Sequence, residues 1–277
     1  MLEMKYGNFI LHGNGRNKVI AIDGIGVCPT PSYQKAEYAA ADGETELSKK
    51  DTARTITVSG DFFDNKSRDE CRRLNRAVYK QDYLYILSDS VRVKIYCKLT
   101  KLSISHKGAD IFSYTLQLAA DYPYFKSYAD KTVHVWGDTD NVITAFTLPC
   151  VFTSRHSRSA LYNNGDKTVF PVIEITAIGT PSAESNTVTV TNHTTNASLK
   201  LEKVLADGET ITIDLPRRRI ESSIDGIITH LITDDTNLSE CFLAAGENDI
   251  EGNVTEQNQV VSIIAMYNTE YISAEVY

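Results

Sequence analysis

Cys150 and His156 lie close enough along the chain to share a metal ion. A zinc site needs four ligands, however, and no Cys-x-x-Cys or His-x-x-x-His pair supplies the rest. The five cysteines, Cys28, Cys71, Cys97, Cys150 and Cys241, are odd in number and widely spaced, which argues against a disulfide framework and fits a reducing cytoplasm. Cys71 and Cys97 fall on apolar faces and read as buried small hydrophobes. Ser32-x-x-Lys35 has the spacing of a β-lactamase nucleophile but lacks the partner motifs. Gly24 and Gly26 begin a phosphate-loop pattern, yet no third glycine follows and Pro29 stands where a helix would open. Asp234-Asp235 could serve calcium, although the EF-hand spacing is missing and a solvated turn fits better. Arg217-Arg218-Arg219 reads as an exposed connection, with an anion or sugar contact as the alternative. Acidic residues are plentiful in the second half, but a glycosidase pair must face across a cleft that spacing alone does not place. Asn-x-Ser/Thr triplets at Asn65, Asn192, Asn196, Asn237 and Asn253 matter only behind a secretory signal, which Met1 to Gly13 lacks. The expectation is a chain that is not an enzyme and uses no cofactor or metal.

Two charged stretches are better suited to binding. Thr55-Ile56-Thr57-Val58-Ser59 alternates as a half-buried strand ended by Gly60, and Ser67-Arg68-Asp69-Glu70 has the spacing of a capping box. Cys71, Leu74, Ala77 and Val78 then follow at helical spacing, leaving Arg68, Arg72, Arg73, Arg76 and Lys80 for the other face. The second stretch is the connection 29–53, read as a long loop with a helical turn around Lys35 to Ala41. Within it, residues 36–51 hold Glu37, Asp42, Glu44, Glu46 and Asp51 against Lys49 and Lys50, a net of −3.

The remaining pattern is that of strands. Tyr6 to Leu11 and Val19 to Val27 flank His12-Gly13-Asn14-Gly15, which predicts a hairpin. Tyr83 to Leu87 and Val91 to Leu99 predict a strand pair, and Leu102, Ile104 and Ile111 to Leu118 continue it. Beyond Thr132 the predicted strands are Val133 to Trp136, Ile143 to Thr153, Val169 to Ile178, Thr187 to Thr191, Leu199 to Leu205, Thr210 to Leu215, Ile227 to Ile232 and Gln259 to Met266. The fold class expected is mainly β: two β-sandwich domains, residues 1–130 with one short helix as a lid and residues 131–277 without a helix. No apolar run is long enough to span a bilayer. The net charge of −8 argues against a dedicated nucleic-acid binder. It is unevenly spread, with 20 basic against 18 acidic residues in 1–150 (+2) and 8 against 18 in 151–277 (−10). A near-neutral first half can pack against copies of itself without strong repulsion.

The order of these elements resembles the distal tail protein of long-tailed (siphovirus-type) bacteriophages and prophage tails. The resemblance is carried by Thr55-Ile56-Thr57-Val58-Ser59-Gly60 with the short helix after it, and by Ala120-Asp121-Tyr122-Pro123-Tyr124-Phe125. In the second half it is carried by Phe170 to Ile175, Thr187 to Asn192, Gly208 to Asp214 and Leu243 to Asn248. One departure is Tyr122, which separates an Asp and a Pro expected to be adjacent.

The resemblance implies a structural hub at the phage tail tip, within the virion and made in the bacterial cytoplasm. The first domain, related to tail-tube proteins, would close a homo-hexameric ring around a channel through which DNA passes without specific binding. The second, galectin-like or carbohydrate-module-like, would project outward. The implied partners are the tail-tube protein and the tail-associated central-spike protein, with receptor-binding proteins or a cell-surface saccharide as further ones. On this reading Glu37, Asp42, Glu44, Glu46, Arg68, Arg72 and Arg76 are ring or channel contacts, the alternative being a merely solvated surface. Two other functions fit the same strands. One is a carbohydrate-binding module or carbohydrate-active protein using Trp136, Tyr162, Tyr267 and Tyr271; the other is another ring protein of the tail tube.

Overall fold

The computed structural model describes residues 2–13, 15–38, 42–63, 66–108, 110–138, 155–156, 158–182, 184–255 and 259–274. The chain forms two units, Met1–Tyr128 with Glu270–Tyr277, and Ala129–Thr269. Residues 270–274 thus group with the first unit. Among the described residues no helix is long and apolar enough to cross a membrane. The predicted strand Ile143 to Thr153 and Cys150 lie outside the described residues.

Unit 1 contains β1 (Glu3–Tyr6), β2 (Phe9–His12), β3 (Asn17–Asp23), β4 (Pro31–Glu37), β5 (Glu44–Asp51), β6 (Arg54–Phe62), α1 (Ser67–Val78), β7 (Asp82–Leu87), β8 (Arg92–Gly108), β9 (Ile111–Ala120) and β10 (Phe125–Ser127). The sheet order is β2-β1-β7-β8-β9-β6-β3, with β10 beside β8 and the closing segment Glu270–Tyr271 beside β10. β8 joins the two parts of this sheet. Its first part pairs with β7 from Arg92 to Cys97 and its second with β9 from Lys98 onward, with a bulge at Leu99/Lys101 close to the switch and another at His106/Gly108 near its end. Met4, Tyr6, Ile56, Val58, Leu84, Ile86, Ile95, Leu116 and Leu118 fill the interior.

The first hairpin differs from the expected one. β1 pairs with β2 around Gly7, whose φ is +55°, while β3 pairs with β6. The His12 to Gly15 turn therefore crosses from one edge strand to the other. Side chains hold that crossing, with Asn17 Nδ2 donating to the Ile10 carbonyl at 2.6 Å and the Val19 amide donating to His12 Nδ1 at 3.2 Å. Gly60 does not end its strand either. β6 runs on to Phe62 because the Tyr114 ring lies over Gly60, where a Cβ would sit 2.6 Å from the tyrosine oxygen.

α1 follows β6 and buries Cys71, Leu74 and Val78, as the spacing predicts. The capping box does not form. Lys66 is the N-cap and no side chain caps it; Ser67 and Glu70 turn inward, and Glu70 Oε1 accepts from Arg73 Nη1 at 2.6 Å instead of returning to Ser67.

Unit 2 holds β11 (Lys131–Asp138), β12 (Arg155–His156), β13 (Arg158–Asn163), β14 (Val172–Ile178), β15 (Thr187–Asn192), β16 (Ala197–Glu202), β17 (Thr210–Asp214), β18 (Arg219–Ser222), β19 (Gly226–Ile227), β20 (Gly246–Val254) and β21 (Val260–Tyr267). One sheet is ordered β12-β11-β21-β14-β17-β18-β19 and the other β13-β20-β15-β16. Their inner faces alternate Ile173, Ile175, Ala177, Val188, Val190, Leu199, Leu201, Ile211, Ile213 and Ile263 into one core, a galectin-like sandwich. The predicted strand Ile227 to Ile232 is mostly a 3-10 turn at Thr229–Leu231. β20, written Gly-Glu-Asn-Asp-Ile-Glu-Gly-Asn-Val, is a strand the composition hides. It is close-packed: a Cβ on Gly252 would lie 2.8 Å from that of Trp136.

Candidate functional site

The connection 29–53 is not a loop. β4 and β5 pair from Pro31↔Asp51 to Glu37↔Glu44 as a separate two-stranded sheet, with a bulge at Gln34/Lys35. Every residue of β5 except Ser48 is exposed, and so are Tyr33, Tyr38 and Leu47. Such an arm has no core of its own and belongs to the class of hairpins that are marginal in water unless something packs on them.

The foot of the arm, by contrast, is fixed. Arg54, buried at 5% exposure, donates from Nε to the Pro123 carbonyl at 2.7 Å and from Nη1 to those of Gly24 at 2.6 Å and Val27 at 2.8 Å. Its Nη2 donates to the carbonyl of Ile272 at 2.5 Å, and its guanidinium lies 4.9 Å from the Phe125 ring centroid. One side chain thus fastens both the start of the arm and the returning C-terminal segment. Burial lowers its pKa below the ordinary guanidinium value, yet the fork of N–H donors suits a cluster of carbonyls. Gly24 sits at φ +85° with its α-carbon against the Thr55 carbonyl, so it is a close-approach glycine and not part of a phosphate loop. Thr52 donates from both its amide and its hydroxyl to the Thr30 carbonyl at 2.9 Å, and the Tyr124 hydroxyl bonds Asp51.

Among the candidate contact residues, Asp42, Glu44 and Glu46 stand exposed on the arm; Glu44 pairs with Lys35 at 2.7 Å. Glu37 ends β4, across from Glu44. Arg68, Arg72 and Arg76 stand exposed on α1, with Arg72 3.5 Å from Asp69. The structure therefore gathers them into two surfaces, an acidic arm and a basic helix face. Beside that face a cleft opens between α1 and the Gly7-Asn8 turn, lined by Arg73, Arg76, Lys80 and Asp82.

A third surface was missed. Tyr83 and Tyr85 point away from the core that takes Leu84 and Ile86, and pack edge-on with Tyr96 at 5.2 Å and Tyr128 at 5.8 Å respectively. Lys94 stands 5.8 Å from the Tyr83 ring and Arg92 5.3 Å from that of Tyr128. The period-2 pattern of Tyr83-Leu84-Tyr85-Ile86 carried the signal, hidden because every residue in it is hydrophobic.

The chemical candidates separate. Asp235 is engaged by Lys200 and Thr233, and among the described residues no group of three or more His, Cys, Asp or Glu could hold a metal. Arg217 pairs with Asp214 at 2.8 Å, Arg219 pairs with Glu221, and Arg218 occupies a turn at φ +54°. Burial pushes the Cys97 thiol up to about 12 and raises that of Cys71. The aromatic candidates for sugar binding differ in exposure. Trp136 packs against the unit 2 core, Tyr267 is buried with its hydroxyl donating to the Tyr162 carbonyl at 3.0 Å, Tyr271 belongs to unit 1, and only Tyr162 is well exposed. Asn192 and Asn248 form a buried network: Asn248 Oδ1 accepts from Asn192 Nδ2 at 3.2 Å and from the Ala244 amide at 2.8 Å. These residues help to specify the core.

The chain resembles the crystal structure of the Dit protein of phage SPP1, described as a paradigm of the hub adsorption apparatus in phages infecting Gram-positive bacteria. The TM-score is 0.64 at 14% identity, covering 98% of this chain and 99% of that one. It shares that fold from end to end. The phage P2 baseplate in its activated conformation also matches, with calcium at 9% identity, coverage of 96% and 98%, and TM-score 0.47. With strontium the values are 10%, 95% and 97%, and 0.46. No protein-family model matches the chain, and no curated protein sequence matches it.

Proposed function

We propose that this protein is a distal tail hub, a structural protein of a phage tail tip that forms a homo-hexameric ring joining the tail tube to the central-spike protein. The observation that carries this reading is the shared fold with SPP1 Dit over the full length of both chains. Unit 1 builds the ring and leaves a channel for DNA; unit 2 is the outward module that meets other baseplate proteins, receptor-binding proteins or a saccharide. The arm and the basic face of α1 are the surfaces for copies or neighbouring rings, because Asp42, Glu44, Glu46, Arg68, Arg72 and Arg76 stand exposed there. The near-neutral first half favours ring packing, and the −10 of residues 151–277 keeps the outer module well solvated.

Negative-stain electron microscopy and light scattering of the purified full chain test this. Closed rings of six, or pairs of such rings, are expected. Open-ended tubes would instead mark a tail-tube protein, and a monomer at every concentration and salt would count against any ring.

A further inference from the structure

We infer that the acidic tip of the arm docks on the basic face of α1 of a second copy of this chain, joining copies head to tail. This rests on the ring-forming reading and supplies one of its contacts. The first observation is charge. Residues 37–46 hold Glu37, Asp42, Glu44 and Glu46 and no lysine or arginine, with Lys35 of the same hairpin offsetting Glu44 at 2.7 Å. α1 and the turn after it expose Arg68, Arg72, Arg76 and Lys80; among the described residues only Arg72 has an acidic neighbour, Asp69 at 3.5 Å. Asp82 is the sole carboxylate lining the cleft beside them.

The second observation is the unfinished state of the arm. It pairs only with itself, its foot is locked by Arg54, and it exposes Tyr33, Tyr38 and Leu47. A hairpin of this kind gains order by lying on another surface. The third is placement. The arm joins β6 at Arg54 and α1 follows β6 beyond Phe62, so the length of a nine-residue strand, about 27 Å, separates the foot of the arm from the start of the helix. Arg68, Arg72 and Arg76 stay exposed on α1. Two different patches of one chain make a heterologous contact, which repeats from copy to copy until it closes.

Two charge-reversed full-length variants test the pairing. One carries Asp42→Lys, Glu44→Lys and Glu46→Lys; the other Arg72→Glu, Arg76→Glu and Lys80→Glu. All six positions are exposed, and far-UV circular dichroism with a melting curve checks each fold. Neither variant should assemble alone at concentrations where the parent does, self-association falling at least tenfold. An equimolar mixture should assemble again, since each arm then meets a helix of opposite sign. If both variants assemble like the parent, or if mixing fails to rescue, the pairing is overturned while the ring stands. A parent that never assembles overturns both. Carbodiimide coupling of a mixture of isotopically light and heavy parent protein gives a second reading. Coupling of Glu44 or Glu46 to Lys80 between light and heavy chains is expected, and its absence in assembled protein overturns the proposal.

Discussion

Arg54 shows how one side chain can organise a region. Its positive charge is buried among carbonyl oxygens of Gly24, Val27, Pro123 and Ile272, where an ammonium could reach only some of them. Arg54→Lys is expected to cost about 2 kcal/mol or more through the carbonyls left unpaired. Urea melts should show the loss, and proteolysis should nick the base of the arm first. In unit 2, buried Glu209 stands 3.0 Å from the partly buried Lys203, which also meets Asp225 at 2.7 Å. Burial raises the Glu209 pKa, but the Ser222 hydroxyl, the Ala206 amide and Lys203 together pull it below the ordinary 4.5. Burial likewise opposes charge on Lys203, yet Asp225 and Glu209 raise it above 10.5. A depressed carboxylate stabilises above its unfolded value and loses that contribution as pH falls through the folded one. A raised ammonium stabilises below its unfolded value and loses it as pH rises through the folded one. The pair is therefore fully in place between about 4.5 and 10.5, and thermal melts should fall off outside that window. Glu209→Gln is expected to cost about 3 kcal/mol at neutral pH and to flatten the acid limb.

At the scale of elements, α1 was legible because one apolar face at helical spacing has a single solution against a sheet. Leu74 is fully buried, so Leu74→Asp should cost several kcal/mol with no partner for the carboxylate. Arg72→Ala, on the exposed face, should stay within about 0.5 kcal/mol and act on assembly alone. Differential scanning calorimetry separates the two outcomes, and a silent Leu74→Asp would contradict the facing described. The arm was not legible as strands. Its composition, with Ser, Gln, Lys, Glu and Ala prominent, lacks the alternation that burial on one face imposes, because neither face is buried within this chain. β20 was hidden for the opposite reason: Gly252 and Asn248 are chosen by close packing against Trp136 and by a buried amide network, not by strand propensity.

For the molecule as a whole, the described bonds that tie the arm to unit 1 lie at its foot, around Thr30, Asp51 and Thr52. Replacing residues 32–50 by a short Gly-Ser turn should therefore leave the melting temperature within a few degrees while lowering self-association sharply, as read by light scattering. A large loss of stability would mean that the arm supports its own unit. Added salt should weaken assembly of the parent and leave the arm-less chain unaffected, since screening acts on exposed charges.

The sequence by itself determined the class of fold, the helix α1 and its buried face, and most strands of both sandwiches. Each of these follows from local periodicity or turn chemistry. Only the tertiary structure decided that β3 leaves the first hairpin to join β6, that residues 270–274 return to unit 1, and that Arg54 ties that return to the arm. It also placed the acidic candidates on the β4–β5 hairpin and the basic ones on α1. The reason is one of range. Alternation and spacing report what a residue meets within its own strand or turn, whereas pairing order and long-range hydrogen bonds are set by which distant segments can share one core.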